Sequence, residues 1–296
     1  MSVKLVYIGS PDAAVPPLRA LVAAGHDVVL VVSQPDKRRG RGSALSASPV
    51  KAAALELGLR STDRIEEVID ADAELGVVVA YGRLIRPPVL AALPFLNLHF
   101  SLLPRWRGAA PVERAVLGGD AVTGVCLMGL EEGLDTGPVY RRAETAIDSL
   151  ESAEALRARL VAIGTAMLVD ALRDGLASLG SATPQVGEST YAAKLDPSEF
   201  QIDWTKSADE IHRLVRLGVA WTTFRGRRLK VLAGESAASD ATRPYRIGSL
   251  DREFVTTGRG SLRLLTVQPE GRGSIPARDW LNGAQLTTDD RLGADA

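Results

Sequence analysis

The sequence predicts a Rossmann-like α/β domain with an open, mostly parallel sheet, followed by a small C-terminal β-barrel of the OB-like type. In the first half, short apolar runs alternate with helical patterns, as they do when a parallel sheet is buried on both faces. Beyond residue 204, short strand-like segments are separated by glycine-containing turns, which is typical of a small barrel. With 296 residues, 46% of them hydrophobic, the chain can bury two cores.

Apolar, β-branched runs predict the strands of the first sheet, at residues 3–8, 27–33, 76–80 and 96–100. Asp12 is placed to cap a helix that ends before Gly25. A helical pattern over residues 151–179 is expected to close the first domain. We therefore expect a first domain at residues 1–180.

Residues 181–203 lack clear periodicity and are interpreted as a linker. The second domain, residues 204–296, begins with a short amphipathic helix at 207–217. Four strands are predicted after it, at residues 227–232, 245–250, 253–257 and 262–267.

Composition excludes several classes of protein. The net charge is −1, so the overall balance gives no argument for nucleic acid, and the single cysteine, Cys126, cannot form an internal disulfide. No Cys/His cluster has the spacing of a zinc site, and no apolar run is long enough to span a bilayer. No signal peptide is evident either, so we expect a cytoplasmic protein.

The first strand–turn–helix unit does not predict a dinucleotide site. Gly9 is followed by Ser10, Pro11 and Asp12, without the further glycines that let a backbone approach a pyrophosphate. The carboxylate of Asp12 would also repel a phosphate at the start of the helix.

The chemically informative residues are Asn97, His99 and Asp135. Strand periodicity puts Asn97 and His99 on one face at the carboxyl end of a strand, where open α/β sheets bind ligands. Asp135 lies on a loop between Gly133 and Gly137. An amide can donate to a developing oxyanion, an imidazole can move an amine proton, and a carboxylate can orient the imidazole. The other interpretation is that His99 is a structural residue of the core.

The motifs NLHFSLLP (97–104) and GLDTG (133–137) resemble the signature of the 10-formyltetrahydrofolate-dependent formyltransferases. Longer segments, among them SPD (10–12), SQPD (33–36), VVAYG (78–82) and LLPRWRGAAPV (102–112), resemble the members of that family that act on initiator methionyl-tRNA.

The resemblance implies a set of roles. Asn97, His99 and Asp135 match the family's catalytic residues. The segment that it implies for contacting 10-formyltetrahydrofolate consists of Ser101, Leu102, Leu103 and Pro104. No serine or cysteine nucleophile is evident in the sequence, so direct formyl transfer is expected, and the chemistry is expected to need no metal.

Two basic clusters are candidate tRNA-binding residues. The first lies in the loop 36–51 and consists of Lys37, Arg38, Arg39, Arg41 and Lys51, among which Arg41 matches the arginine that the family uses. The second lies in the predicted barrel and consists of Arg225, Arg227, Arg228 and Lys230. Basic residues beside the aromatic Trp221 and Phe224 suit nucleic acid. The alternatives are a solvated loop and aromatic residues that belong to the core.

The expected activity is formyl transfer from 10-formyltetrahydrofolate to the α-amino group of initiator methionyl-tRNA, by a protein that is expected to be monomeric. One alternative is a formyltransferase of the same superfamily that acts on a sugar nucleotide or another small amine. A second alternative is an RNA-binding protein without activity, which would not need the three catalytic residues together.

Overall fold

The computed structural model describes residues 1–38, 45–238 and 246–294. The chain divides into two units. The first comprises Met1–Val112, Val122–Ala146 and Arg157–Ala193, and the second comprises Glu113–Ala121, Ile147–Leu156 and Lys194–Ala296.

The first unit is built on a seven-stranded sheet with two small two-stranded sheets beside it. Its strands are β1 (Lys4–Gly9), β2 (Asp27–Val32), β3 (Lys37–Arg38), β4 (Leu45–Ser46), β5 (Ser61–Thr62), β6 (Leu75–Val79), β7 (Phe95–His99), β8 (Arg107–Gly108), β9 (Val122–Gly129), β10 (Val139–Ala146) and β11 (Tyr191–Ala192). The order in the large sheet is β10-β9-β7-β6-β1-β2-β5. The prediction of a Rossmann-like, mostly parallel sheet is confirmed.

Three strands of this sheet, β5, β9 and β10, were not predicted, and β9 and β10 run antiparallel to their neighbours. Alternate residues of β10 are exposed along most of its length, as expected for the edge of the sheet. By contrast, every residue of β6 and β7 is buried. The sequence shows the buried strands as continuous apolar runs, whereas the polar residues of β10 hide its strand character.

The helices of the chain up to residue 171 are α1 (Val15–Ala23), α2 (Pro49–Glu56), α3 (Pro87–Leu90), α4 (Pro111–Gly118) and α5 (Ala153–Ala171). The Ser48 side chain caps α2 by accepting a hydrogen bond from the Lys51 backbone N–H. Asp12 lies in a short 3₁₀ turn before α1 instead of capping the helix, because Pro11 occupies the cap position of that turn. The long helix predicted to residue 179 ends at Ala171, and a 3₁₀ turn follows at Leu176–Leu179.

The second unit contains an antiparallel sheet, as predicted. Its strands are β12 (Trp221–Phe224), β13 (Arg227–Ala237), β14 (Leu250–Asp251), β15 (Phe254–Thr256), β16 (Ser261–Pro269) and β17 (Ile275–Pro276), and its helices are α6 (Ala208–Val215) and α7 (Ala277–Ala284). Near the C-terminus, Leu292 pairs with Phe224 of β12, and Arg291 pairs with Ser249 beside β14. These two pairs connect opposite edges of the sheet and give it the character of a small barrel.

Residues 181–193, which the sequence leaves as part of a linker, hydrogen-bond within the first unit. Thr183 pairs with Val139 of β10, and β11 pairs with β8 in parallel. A strand of two residues has no periodicity, so the sequence pattern could not show this pairing. Over the described ranges, no helix is long and apolar enough to cross a membrane.

Candidate active site

A cavity of about 520 Å³ opens at the carboxyl ends of β1, β6 and β7. The residues of these strand ends that line it include Pro11, Ala80, Asn97 and His99. Strand β1 lies between β2 and β6, which is where the strand order of the sheet reverses. A ligand site is expected at such a switch point, because the loops that follow neighbouring strands diverge there.

Asn97 and His99 alternate with Leu96 and Leu98 along β7, and both polar residues line the cavity, as the strand periodicity predicts. Their exposed fractions are only 8% and 5%. Within the described part of the chain, the Asn97 amide has no hydrogen-bond partner. Because the amide faces the cavity and is not paired within the described chain, it is available to bind a ligand.

The two ring nitrogens of His99 have different surroundings. Nε2 lies 2.8 Å from the backbone carbonyl oxygen of Trp106, and Nδ1 lies 3.6 Å from Oδ2 of Asp135. Since a carbonyl oxygen can only accept, we assign the proton of the neutral ring to Nε2. The lone pair of the ring is then on Nδ1, on the side of Asp135.

Asp135 is held in place by its backbone and by a hydrogen bond. Its φ is +50°, a left-handed conformation that a short polar side chain tolerates better than most. The Gly108 backbone N–H donates to its Oδ2 at 2.7 Å. A side chain at Gly133 would overlap Thr136, and one at Gly137 would overlap the Gly129 carbonyl oxygen. The tight loop that the sequence suggested therefore depends on both glycines.

The Trp106 carbonyl is positioned by unusual backbone as well. Trp106 has φ of +62°, and its N–H donates to Oγ1 of Thr190 at 2.8 Å. The next N–H, of Arg107, donates to the Thr190 carbonyl at 2.9 Å. Left-handed non-glycine residues are uncommon and concentrate at functional sites, and here two of them flank one imidazole.

The sequence analysis missed three groups that hold the site: the Gln185 side chain, whose Nε2 donates to the Asp135 carbonyl oxygen, the Thr190 side chain and the Trp106 carbonyl. Both side chains lie in a segment without periodicity, and a backbone carbonyl has no signature in a sequence. No signal in this single sequence could have identified them.

Side chains of the predicted folate segment lie outside the lining of the cavity. Ser101 is fully buried, and its hydroxyl donates to the Arg105 carbonyl at 2.6 Å. Leu103 packs in a small core with Cys126 and Met128. Folate contact by residues 101–104 therefore stays a prediction. The apolar part of the cavity lining includes Val78, Tyr81, Leu84, Ile85, Leu90 and Leu130.

The two side chains with nucleophilic atoms nearest His99 in sequence or sheet register are both buried. The Ser101 hydroxyl is occupied by its hydrogen bond to Arg105. Cys126 pairs with His99 in the sheet register, and burial raises the pKa of its thiol, which disfavours the reactive thiolate.

The loop candidates for tRNA binding are partly accounted for by the structure. Lys51 forms an ion pair with Asp36 at 2.8 Å, and Lys37 donates to Oε1 of Gln34 at 2.9 Å. Arg38 lies in the short strand β3. Arg39 and Arg41 lie outside the described residues.

In the second unit, three of the four candidate tRNA-binding side chains lie close to an acidic or aromatic side chain. Arg225 forms an ion pair with Asp290 at 2.6 Å, and this guanidinium lowers the pKa of the Asp290 carboxyl. Arg228 stacks over Trp221 at 4.3 Å, and Arg227 lies 3.8 Å from Glu270. Lys230 is opposite Trp221 in the sheet register.

The two aromatic residues of this region differ in their packing. Phe224 makes an edge contact with Trp280, at 5.0 Å between ring centroids, and packs against the core of the unit. Trp221 is half-buried beneath the Arg228 guanidinium. The core interpretation therefore suits Phe224, whereas Trp221 presents a stacked cation at the surface.

The chain belongs to the formyl transferase family. The family's sequence model, described as "Formyl transferase", matches residues 3–172, and a second one, "Formyl transferase, C-terminal domain", matches residues 194–285.

Among the curated relatives, the chain is 43% identical to the methionyl-tRNA formyltransferase of Jannaschia sp. (strain CCS1), over 96% of this chain and 97% of the relative. It is also 43% identical to the methionyl-tRNA formyltransferase of Roseobacter denitrificans, over 96% of each. The N-formyltransferase of Helicobacter canadensis, solved in complex with folinic acid and dTDP-3-aminofucose, shares the fold. Its TM-score is 0.69 with 17% identity, covering 89% of this chain and 99% of that one.

Proposed function

We propose that this protein transfers the formyl group of 10-formyltetrahydrofolate to the α-amino group of initiator methionyl-tRNA. The observation that carries the proposal is the convergence of Asn97, His99 and Asp135 on one cavity at the switch point of the sheet. The choice of methionyl-tRNA as the acceptor is supported by the relatives named above, because they match nearly the whole length of the chain.

In the proposed reaction, the neutral amine attacks the formyl carbon directly. A carbon–nitrogen bond forms to the amine, and the formyl oxygen gains negative charge. The Asn97 N–H groups, which line the cavity and are free of other partners in the described chain, would donate to that oxygen. Collapse of the intermediate breaks the bond to N10 of the folate and forms the amide.

We assign the proton transfer to His99 Nδ1, because Nε2 is committed to the Trp106 carbonyl. Nδ1 would take the proton that the attacking amine loses and return it to N10 as that nitrogen leaves. The Asp135 carboxylate, 3.6 Å away, would stabilise the imidazolium formed between these two steps. Direct transfer is supported by the burial of both Ser101 and Cys126.

The apolar wall formed by Tyr81, Leu84, Ile85 and Leu130 would receive the planar ring of the folate.

We propose that residues 1–180 carry the chemistry, that residues 181–203 connect the domains, and that residues 204–296 bind tRNA. The arginines and lysines of the loop 36–51, together with Arg225, Arg227, Arg228 and Lys230, are the proposed phosphate contacts. We propose that the active form is a monomer.

The test is an assay with purified protein, 10-formyltetrahydrofolate and radiolabelled methionyl-initiator tRNA, with an amino-sugar nucleotide as the competing acceptor. Formylmethionyl-tRNA as the main product supports the proposal. Preferential formylation of the sugar nucleotide would favour the other branch of the family instead.

A further inference from the structure

The Gln185 side chain bridges the two chain segments that contact the His99 ring. Its Nε2 donates to two carbonyl oxygens, those of Asp135 and Gly137, each at 2.8 Å. Its Oε1 accepts from the Arg107 guanidinium, at 2.7 Å from Nη2 and 3.1 Å from Nε. Both hydrogens of the amide and its oxygen are thus used, which an isolated surface glutamine seldom achieves.

The two structures that Gln185 joins each supply one partner of the imidazole. The 133–137 loop carries the Asp135 carboxylate near Nδ1, and the turn before β8 carries the Trp106 carbonyl on Nε2. They also meet where the Gly108 N–H donates to Asp135. Gln185 therefore acts on the same junction from the backbone side of the loop, through the carbonyl oxygens of Asp135 and Gly137.

We propose that Gln185 is a positioning residue of the active site, which holds the Asp135 carboxylate beside His99 Nδ1, where it stabilises the imidazolium. The effects expected on kcat rest on the proposed function. The segment that contains Gln185 resembles a linker in sequence. The proposal gives it a role in catalysis, because the Gln185 amide binds the backbone carbonyl of Asp135, a residue with a positive φ. Small displacements of a catalytic group cost large factors in rate, about 10²-fold for 1 Å.

The test compares Gln185→Ala and Gln185→Glu with Thr183→Val. Thr183 lies in the same segment and its hydroxyl donates to the Val139 carbonyl at 3.2 Å, so its replacement removes a similar anchor away from Asp135. Glutamate keeps an oxygen for Arg107 but loses both donors and puts an oxygen against two carbonyls. We expect both Gln185 variants to lose about 10-fold to 100-fold in kcat, with KM values changed less than about threefold, and Thr183→Val to match the wild type.

A double-mutant cycle separates positioning from general destabilisation. If Gln185 acts through Asp135, Gln185→Ala should lower kcat no further in the Asp135→Asn background. Fully additive losses, a wild-type kcat in Gln185→Ala, or restored activity in Gln185→Glu would each overturn the proposal.

A second readout does not depend on the reaction. We expect the Gly108 amide proton to exchange with deuterium faster in Gln185→Ala than in the wild type or Thr183→Val, because its acceptor Asp135 is no longer held. Unchanged exchange would overturn the proposal. A wild type that formylates nothing while Gln185→Ala shows faster exchange would reject the proposed function and leave the positioning role standing.

Discussion

The Nε2 atom of His99 lies 2.8 Å from the carbonyl oxygen of Trp106, a residue held at φ of +62°. This contact fixes which ring nitrogen carries the proton in the neutral state. It also turns Nδ1 toward Asp135. The assignment of the base in the proposed reaction depends on this one relationship.

Asp135→Asn tests the charge of that carboxylate without changing its shape. Asparagine can still accept from the Gly108 N–H and tolerates a positive φ. We expect kcat to fall by about 10²–10³ while the thermal midpoint, followed by circular dichroism, stays close to that of the wild type. Near-normal turnover would remove Asp135 from the mechanism.

Asn97→Ala tests the oxyanion donor. The loss expected is about 10²–10³ in kcat, on the scale of removing one such donor. Folding should change little, because the amide has no partner to leave behind among the described residues. Asn282→Ala, at an exposed position of α7, is the matched control. Equal activity of the two variants would contradict the assignment.

Arg228→Ala and Arg225→Ala remove the same charge from two surroundings. Arg225 is paired with Asp290, whereas Arg228 is stacked on Trp221. We expect Arg228→Ala to reduce the salt dependence of tRNA binding, lowering the slope of log K against log salt by about one. Arg225→Ala should change that slope less. Filter binding at several salt concentrations checks this, and a tRNA affinity independent of salt would contradict the proposed phosphate contacts.

The free energy of unfolding should decrease as the pH falls below neutral, and His212 should contribute to that decrease. Burial lowers the pKa of His212, and that of His26, below the ordinary value of about 6.5. The unfolded chain then binds protons more readily than the folded one. The stability from this difference is present above about pH 6.5 and is lost as the pH falls through the folded pKa. We expect His212→Gln to flatten the decline in thermal midpoint between about pH 7 and pH 5. An unchanged decline would show that His212 does not contribute to it.

The sequence allows much of this site to be predicted. Strand periodicity places Asn97 and His99 together, and two glycines indicate a tight loop at Asp135. These signals are local, so a single sequence displays them. The antiparallel edge of the sheet is harder to predict, because about half of the residues of β10 are polar and its sequence lacks the continuous apolar run of a buried strand.

The remainder of the site depends on pairings between distant residues. Gln185 reaches Asp135 across 50 positions of sequence, and β11 pairs with β8 through two residues. Neither contact leaves a periodic pattern. The ion pair of Arg225 with Asp290 is equally invisible, and so a count of basic residues overstates the free positive charge of the second unit.

The most direct measurement is the single-turnover rate of formyl transfer to methionyl-initiator tRNA, by wild type and by the three variants Asn97→Ala, His99→Gln and Asp135→Asn. The account predicts that the wild type forms formylmethionyl-tRNA, and that each variant is slowed by about 10² or more while still binding both substrates. Formylation at the wild-type rate by any two of the variants would contradict it.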